Sequence, residues 1–295
     1  MDFEAIIYTR NRAMQTDLLL RSMQLNIPDF DLKKIWMFHN LEPFLPNEMI
    51  SYGKLKKEFP GINWISQIPS FKNRLKSIVN NIKSDHVLGL ADDYIFTNKY
   101  NDVNKILSTS SSVKCINLFL TPESNWNFAQ NKPMKRPGMM YAGNGHYFWN
   151  WTKIKDCKCD FAYSHNVVGH IYRTKYFQEL LKWAYPMSWE LSRKRGLNFI
   201  KWNGVNSLES ALSRWRRTST PWMSCYKNQI LLHGAINTVQ TEWAGNEVGK
   251  KQDQTSDFLT QKYLDGYQIK LEPFLGKNYY ATGIKDITFE FEKRK

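Results

Sequence analysis

The first hundred residues repeat one rhythm, and that rhythm constrains the fold more than any other feature of the chain. A short apolar run, EAIIY (4–8), leads through the polar stretch TRNR towards TDLLLRSMQL, which starts at Thr16. The first run reads as a buried strand. The second reads as a helix with Thr16 as N-cap and Asp17 in the first turn, where a carboxylate meets the positive end of the helix dipole. KKIWMFHN (33–40) and INWISQ (62–67) read as further strands on either side of a polar helix at 47–58. SFKNRLKSIVNNIK (70–83) places Phe71, Leu75, Ile78, Val79 and Ile82 on one face, the spacing of an amphipathic helix. A fourth strand at 86–91 completes the alternation. Such a pattern predicts an α/β domain, with a Rossmann-like, mostly parallel sheet, helices on both faces and ligands at the carboxyl ends of the strands.

Two adjacent carboxylates, Asp92 and Asp93, stand at that carboxyl end in ADDYIF, between the apolar run ending at Ala91 and the strand-like Tyr94–Phe96. Like charges this close repel unless a cation or hydrogen bonds compensate. Oxygen donors at a strand end suit Mg²⁺ or Mn²⁺, which keep open positions for a diphosphate; the plain alternative is a solvated turn or a helix cap. Arg10 and Arg12 follow the first strand, and guanidinium groups bind phosphate bidentately. Lys72, Asn73, Arg74 and Lys76 open the helix at 70–83. A basic helix start is unfavourable for the dipole and points to an anion nearby.

The second half is less regular. VKCINLFLTP (113–122) reads as a strand, and 123–165 as loops with short strands. Residues 173–184 and 207–217 read as helices, and QILLHG (229–234) as a last strand or turn. No internal repeat or linker interrupts the chain. We expect one continuous domain, with a regular half at 1–112 and a variable half, including a C-terminal tail, at 113–295.

The chain carries a net charge of +14 on 295 residues, and aromatics make up 15%. Such a charge speaks to partners and solubility rather than to fold: a nucleic-acid polyanion, anionic lipid head groups met peripherally, or merely a lysine-rich proteome. Lys, Asn and Ile are abundant, as in an AT-rich bacterial, phage or viral genome. Of the four cysteines only Cys157 and Cys159 are close, as C-K-C, which is not a zinc or redox spacing. We expect reduced thiols and a cytoplasmic protein (host cytoplasm for a phage or virus) that meets a membrane at most from its inner face. MDFEAIIYTRNR resembles no signal peptide, and no run is long enough to span a bilayer. P-loop, G-x-S-x-G and G-x-G-x-x-G motifs are absent.

IIYTRNR, SFKNRLKSIVNNIKSDHVLGL and ADDYIF together resemble the GT-A-fold glycosyltransferases, over roughly the first third of the chain. In that family the first strand runs into a nucleotide-contacting loop, and a strand after a basic helix ends in an Asp-x-Asp-type motif. The resemblance implies a GT-A-like domain in which 1–112 binds a nucleotide-diphosphate sugar and 113–295 binds the acceptor. It places Thr9, Arg10, Arg12, Lys72, Arg74 and Asp92 at the donor, and Asp93 on the metal. Ala91 departs from the pattern, since many members carry the first Asp there. Inverting members also place a carboxylate near a helix start to deprotonate the acceptor hydroxyl, which makes Glu209 the candidate base, with Ser207 as N-cap. A positioned base matters because a protonated alcohol is a poor nucleophile. A late histidine in some members makes His233 a candidate third metal ligand; the plain alternative is a histidine satisfied in the core. His165 and His170, flanking NVVG, are weaker candidates.

Arg214, Trp215, Arg217 and Trp222, in SRWRRTSTPWMSCYK, are the candidate acceptor residues. Such mixtures grip phosphates and stack on bases, or stack on sugar faces. The expected activity is therefore metal-dependent, inverting sugar transfer to a hydroxyl. The acceptor is a cell-surface or lipid-linked glycan, or a modified base in DNA. The competing expectation is a non-catalytic protein that binds nucleic acid or glycan on the same scaffold.

Overall fold

The computed structural model describes residues 3–41, 45–68, 70–100, 106–107, 110–128, 130–154, 159–163, 165–194, 205–212, 222–234, 253–284 and 287–294, without the side chains of 152, 185–194, 206, 207 and 210. The regular half contains β1 (Phe3–Arg10), α1 (Ala13–Asn26), β2 (Ile35–Asn40), α2 (Pro46–Glu58), β3 (Asn63–Ser66), α3 (Phe71–Asn81), β4 (His86–Ala91) and β5 (Tyr94–Phe96). Then come β6 (Val113–Asn117), β7 (Trp126–Asn127), β8 (Lys132–Pro133), β9 (Met139–Tyr141), β10 (His146–Asn150) and β11 (His170–Arg173). The chain continues through α4 (Thr174–Lys194), α5 (Val205–Leu212), β12 (Trp222–Tyr226) and β13 (Leu231–His233). It closes with α6 (Ser256–Leu264), β14 (Tyr267–Ile269), β15 (Ala281–Thr282) and β16 (Phe291–Lys293).

Nine strands form one sheet in the order β3-β2-β1-β4-β11-β6-β12-β10-β9. β1, β2, β3 and β4 pair in parallel, as the alternation predicts. β11 runs antiparallel to both β4 and β6, β12 is parallel to β6, and β10 is antiparallel to both β12 and β9. Only β11 and β10 therefore oppose the common direction. The sheet is mostly parallel, consistent with the GT-A-like class expected.

The central strand explains its own sequence. β1 is buried along nearly its whole length, so it reads as an apolar run rather than an alternation. Its one inward carboxylate, Glu4, is satisfied by the Lys83 and Ser84 amides and by Trp36 Nε1 at 2.7 Å. α3 buries Phe71, Leu75, Ile78 and Val79, each worth about 1.5–3 kcal/mol relative to exposure.

Three local expectations are corrected. α1 starts at Ala13 with Arg12 as its N-cap residue. Thr16 lies inside the first turn, where its hydroxyl bonds the Arg12 carbonyl four residues back at 3.0 Å. Asp17 is not an exposed dipole partner; it is buried and paired with Arg21 (2.9 Å) and Arg294 (2.6 Å). α5 starts at Val205, ahead of Ser207, which puts Glu209 in its second turn.

The two halves are woven together. β11, from the second, separates β4 from β6. The C-terminal segment packs back on the first half, where Thr260 bonds Glu48, and Arg294 bridges Asp17 and Glu58 while lying over the Tyr263 ring at 4.3 Å.

Candidate active site

The carboxyl ends of β1 and β4 lie side by side, because the register pairs Tyr8 with Ala91. One residue on, the Asp92 amide bonds the Tyr8 carbonyl at 3.0 Å. The loop after β1 is thereby brought onto the aspartate pair. The Arg10 amide donates to Asp92 Oδ2 at 2.9 Å. Arg12 Nη1 donates to Asp92 Oδ1 at 2.9 Å and to Asp93 Oδ2 at 3.1 Å. Asn11, between the two arginines, has φ 48°, a left-handed conformation that asparagine tolerates better than most residues. It turns the loop back towards β4.

The pairing of β5 with β13 places His233 opposite Tyr94. The two rings stack with centroids 4.9 Å apart, and His233 Nε2 stands 3.4 Å from Asp93 Oδ2. Glu209, on α5, accepts hydrogen bonds from the Tyr163 and Asn166 side chains and feels both His233 and Asp93. The first and second halves thus meet at one place, formed by Arg12, Asp92, Asp93, His233, Tyr94 and Glu209.

Burial governs the electrostatics here. Burial alone would raise Asp93, but His233 and Arg12 outweigh it and hold the carboxyl well below the usual carboxylate range. Asp92 is pushed up by burial and by Asp93, against Arg12. His233 is lowered by burial and raised more strongly by Asp93, so its net shift is upward. Burial raises Glu209 against His233, Tyr163 and Asn166, the direction expected of a carboxylate poised to accept a proton.

The expected site residues fall into groups. Arg10, Arg12, Asp92, Asp93, His233 and Glu209 converge. Lys72 and Arg74 open α3, just after β3, and Arg74 acts on His39 at the end of β2. Burial, with Lys56 and Arg74, pushes His39 down to about 4.

The Thr9 hydroxyl faces the interior. Thr9 is buried, and its hydroxyl is used by Thr16 Oγ1 (2.8 Å) and the Tyr52 hydroxyl. Asp92 has both oxygens occupied by the Arg10–Arg12 loop, so as placed it organises that loop. Trp222 begins β12, which runs in the same sense as β4, so it sits at the amino edge of the sheet, away from Asp92. Arg214, Trp215 and Arg217 lie outside the described residues. His165 and His170 are spent in packing, bonded to Tyr176 (2.8 Å) and to Val168 and Asn117 (2.9 and 3.1 Å).

Sequence reading missed Tyr94, Tyr163, Asn166 and Asp160. Asp160 is held by Asn127 (2.8 Å) and Thr282, and its charge reaches both His233 and Tyr94. For Asp160, Tyr163 and Asn166 the polar and aromatic run DFAYSHN was the only signal, and it resembles an ordinary loop.

A divalent cation finds a partial cradle here. Asp93 Oδ1 is buried without a hydrogen-bond partner among the described residues, so one hard oxygen donor is left over. His233, as placed, serves Asp93 as a cationic partner and would have to lose its proton to act as a ligand. Among the described residues no three His, Cys, Asp or Glu side chains form a ready metal shell. This donor set fits a cation that takes most of its ligands from a diphosphate, as Mg²⁺ commonly does, and does not fit a closed protein cage.

Cys115, Cys159 and Cys225 are buried, and Cys115 and Cys225 form no disulfide among the described residues; Cys157 lies outside them. No described helix is long and apolar enough to cross a membrane.

No protein-family model matches the chain, and neither does any curated protein. Solved structures do. GalNAc-T7 with UDP, GalNAc and Mn²⁺ aligns at 11% identity and TM-score 0.44, over 89% of this chain and 48% of that one. Residues 1–349 of S. aureus TarS align at 11% identity and TM-score 0.41, over 78% and 59%. The mannosyltransferase PcManGT of Pyrobaculum calidifontis, with GDP-Man and Mn²⁺, aligns at 10% identity and TM-score 0.30, over 41% and 36%. The chain thus spans between about a third and three fifths of the length of these structures. At this level of similarity the functional reading rests on the site itself.

Proposed function

We propose that this protein is a glycosyltransferase that moves a sugar from a nucleotide-diphosphate sugar to a hydroxyl acceptor with inversion. The observation that carries the reading is the meeting of two chemistries at one sheet edge. The Arg12–Asp92–Asp93 cluster stands at the carboxyl ends of β1 and β4, and a half-buried carboxylate, Glu209, enters from α5 within electrostatic reach of Asp93.

In this reading Arg10, Arg12, Lys72 and Arg74 supply positive charge for the diphosphate, and Asp93, with His233 once deprotonated, holds Mn²⁺ or Mg²⁺. When bound, that ion offsets charge on the leaving diphosphate. Glu209 takes the proton from the acceptor hydroxyl, and the Tyr163 and Asn166 hydrogen bonds fix its orientation. His233 and Tyr94, stacked on each other, each lie within electrostatic reach of both Asp93 and Glu209.

The donor is tested by thermal shift with UDP-, GDP-, CDP- and dTDP-sugars, with and without Mn²⁺. A ligand of the native state raises the melting temperature by mass action. One nucleotide class should stabilise the protein and be consumed. No shift with any of them rejects the donor reading.

The acceptor is a cell-surface or lipid-linked glycan, or a modified base in DNA. Duplex-DNA binding that weakens steeply with salt supports the DNA acceptor, and salt-insensitive or absent binding supports the glycan. A second reading, a non-catalytic binding protein, draws support from Ala91 and from the neutralisation of both aspartates by Arg12. Donor binding without turnover in the presence of acceptor would favour it.

A further inference from the structure

Two buried like charges without a cation do not coexist at no cost, and here the cation is part of the chain. One nitrogen of Arg12, Nη1, touches both carboxylates, and the Arg12 side chain is only 9% exposed. That nitrogen takes up one oxygen of each carboxylate, Asp92 Oδ1 and Asp93 Oδ2. The backbone behind it is fixed from three sides. The Arg12 amide donates to the Tyr52 hydroxyl at 3.2 Å, and Ser256 Oγ donates to the Asn11 carbonyl at 2.6 Å. Buried Glu48 accepts the Ala13 amide. With the loop so braced, Arg12 leaves the aspartates only by rotating its side chain. A guanidinium fork has an alternative partner of matching geometry in a diphosphate.

Resting on the glycosyltransferase reading, we infer that Arg12 is a resident counter-cation that closes the Asp92–Asp93 pair to metal until a diphosphate draws it away. Cation binding is therefore conditional on diphosphate, and by linkage the two ligands raise each other's affinity by the same factor.

The test measures Mn²⁺ binding to the full chain by the loss of the free-ion paramagnetic resonance signal, first with Mn²⁺ alone and then with UDP or GDP added. Wild type should bind Mn²⁺ weakly alone and roughly tenfold or more tightly with nucleoside diphosphate, a coupling of ordinary size. Arg12→Met should bind Mn²⁺ alone roughly tenfold more tightly than wild type, and the further gain on adding nucleotide should be smaller than in wild type by about the same factor. Adding Asp93→Asn to that variant should abolish the gain. Arg12→Lys, which keeps one charge on a shorter side chain without the planar fork that matches a diphosphate, should fall between them; it decides the matter if Arg12→Met does not fold by circular dichroism.

Mn²⁺ affinity in the Arg12 variants equal to or below that of wild type, with wild type still binding through Asp93, overturns the inference and leaves the glycosyltransferase reading intact. No Mn²⁺ binding in any variant, with or without nucleotide, overturns the inference together with the metal part of that reading.

Discussion

Replacing Glu209 with glutamine should move catalysis and stability in opposite directions. Glutamine keeps the shape of the side chain and one acceptor oxygen for Tyr163 or Asn166, and removes the basic site. A positioned general base contributes about 10²–10⁴ in rate, so turnover with acceptor should fall by that factor, or about 3–5.5 kcal/mol of barrier. Stability follows a different rule. Burial holds the folded pKa of Glu209 above its ordinary value. The stabilisation from such a group is fully present below the unfolded pKa, about 4.3, and is lost as pH rises through the folded one. At neutral pH the ionised carboxylate therefore burdens the fold, by about 1.4 kcal/mol for each unit of upward displacement. Glutamine removes that burden and forfeits about 1 kcal/mol of hydrogen bonding. The variant should melt at or above the wild-type temperature at pH 8 and lose any advantage near pH 4. Nucleoside diphosphate release reads the activity, and scanning fluorimetry at the two pH values reads the stability. Activity within about threefold of wild type would refute the base assignment, and a loss of more than about 5 °C at pH 8 would refute the electrostatic argument.

Three further outcomes are expected. Gly89 packs against the Val167 backbone so closely that a methyl group would overlap the Val167 carbonyl oxygen; Gly89→Ala should cost about 3 kcal/mol or more and show as a lower urea midpoint. Arg294→Ala leaves buried Asp17 with Arg21 as its remaining ion-pair partner and should cost about 1.5–3 kcal/mol in urea unfolding, with donor-induced thermal shifts unchanged. Asp93, held low, stabilises above its unfolded pKa and loses that contribution as pH falls through its folded one; His233, held high, stabilises below its unfolded pKa and loses it as pH rises through its folded one. The melting-temperature gap between wild type and His233→Gln should therefore be widest at about pH 4–6.5, and a gap that grows above pH 8 contradicts the ion pair.

The part of this molecule governed by local patterning could be read from its sequence. β1 to β5 and the helices between them follow from apolar runs and a 3.6-residue stripe, and the aspartate pair stands where that pattern ends. Long-range pairing was hidden. Nothing local in HIYR (170–173) says that it will lie between β4 and β6, and nothing in the tail announces that Arg294 returns to Asp17. The same holds for the site. Arg12 read as a phosphate ligand, and its grip on both aspartates depends on the Tyr8–Ala91 register and on the turn at Asn11. Thr9 lies next to Arg10 in sequence, but strand alternation turns its hydroxyl inward to Thr16 and Tyr52. Trp222 looked like part of an acceptor cluster until strand direction placed it at the opposite edge of the sheet.

The position of β11 also bears on synthesis. β4 ends at Ala91, and its neighbour on the far side begins only at His170. At ordinary translation speeds the nascent chain carries an apolar, unpaired sheet border for on the order of ten seconds before the partner emerges. An open border of that kind is a template for pairing with other chains. Recovery of soluble material from a heterologous host should therefore depend on chaperone supply and on lower growth temperature, and a product ending near residue 112 should aggregate.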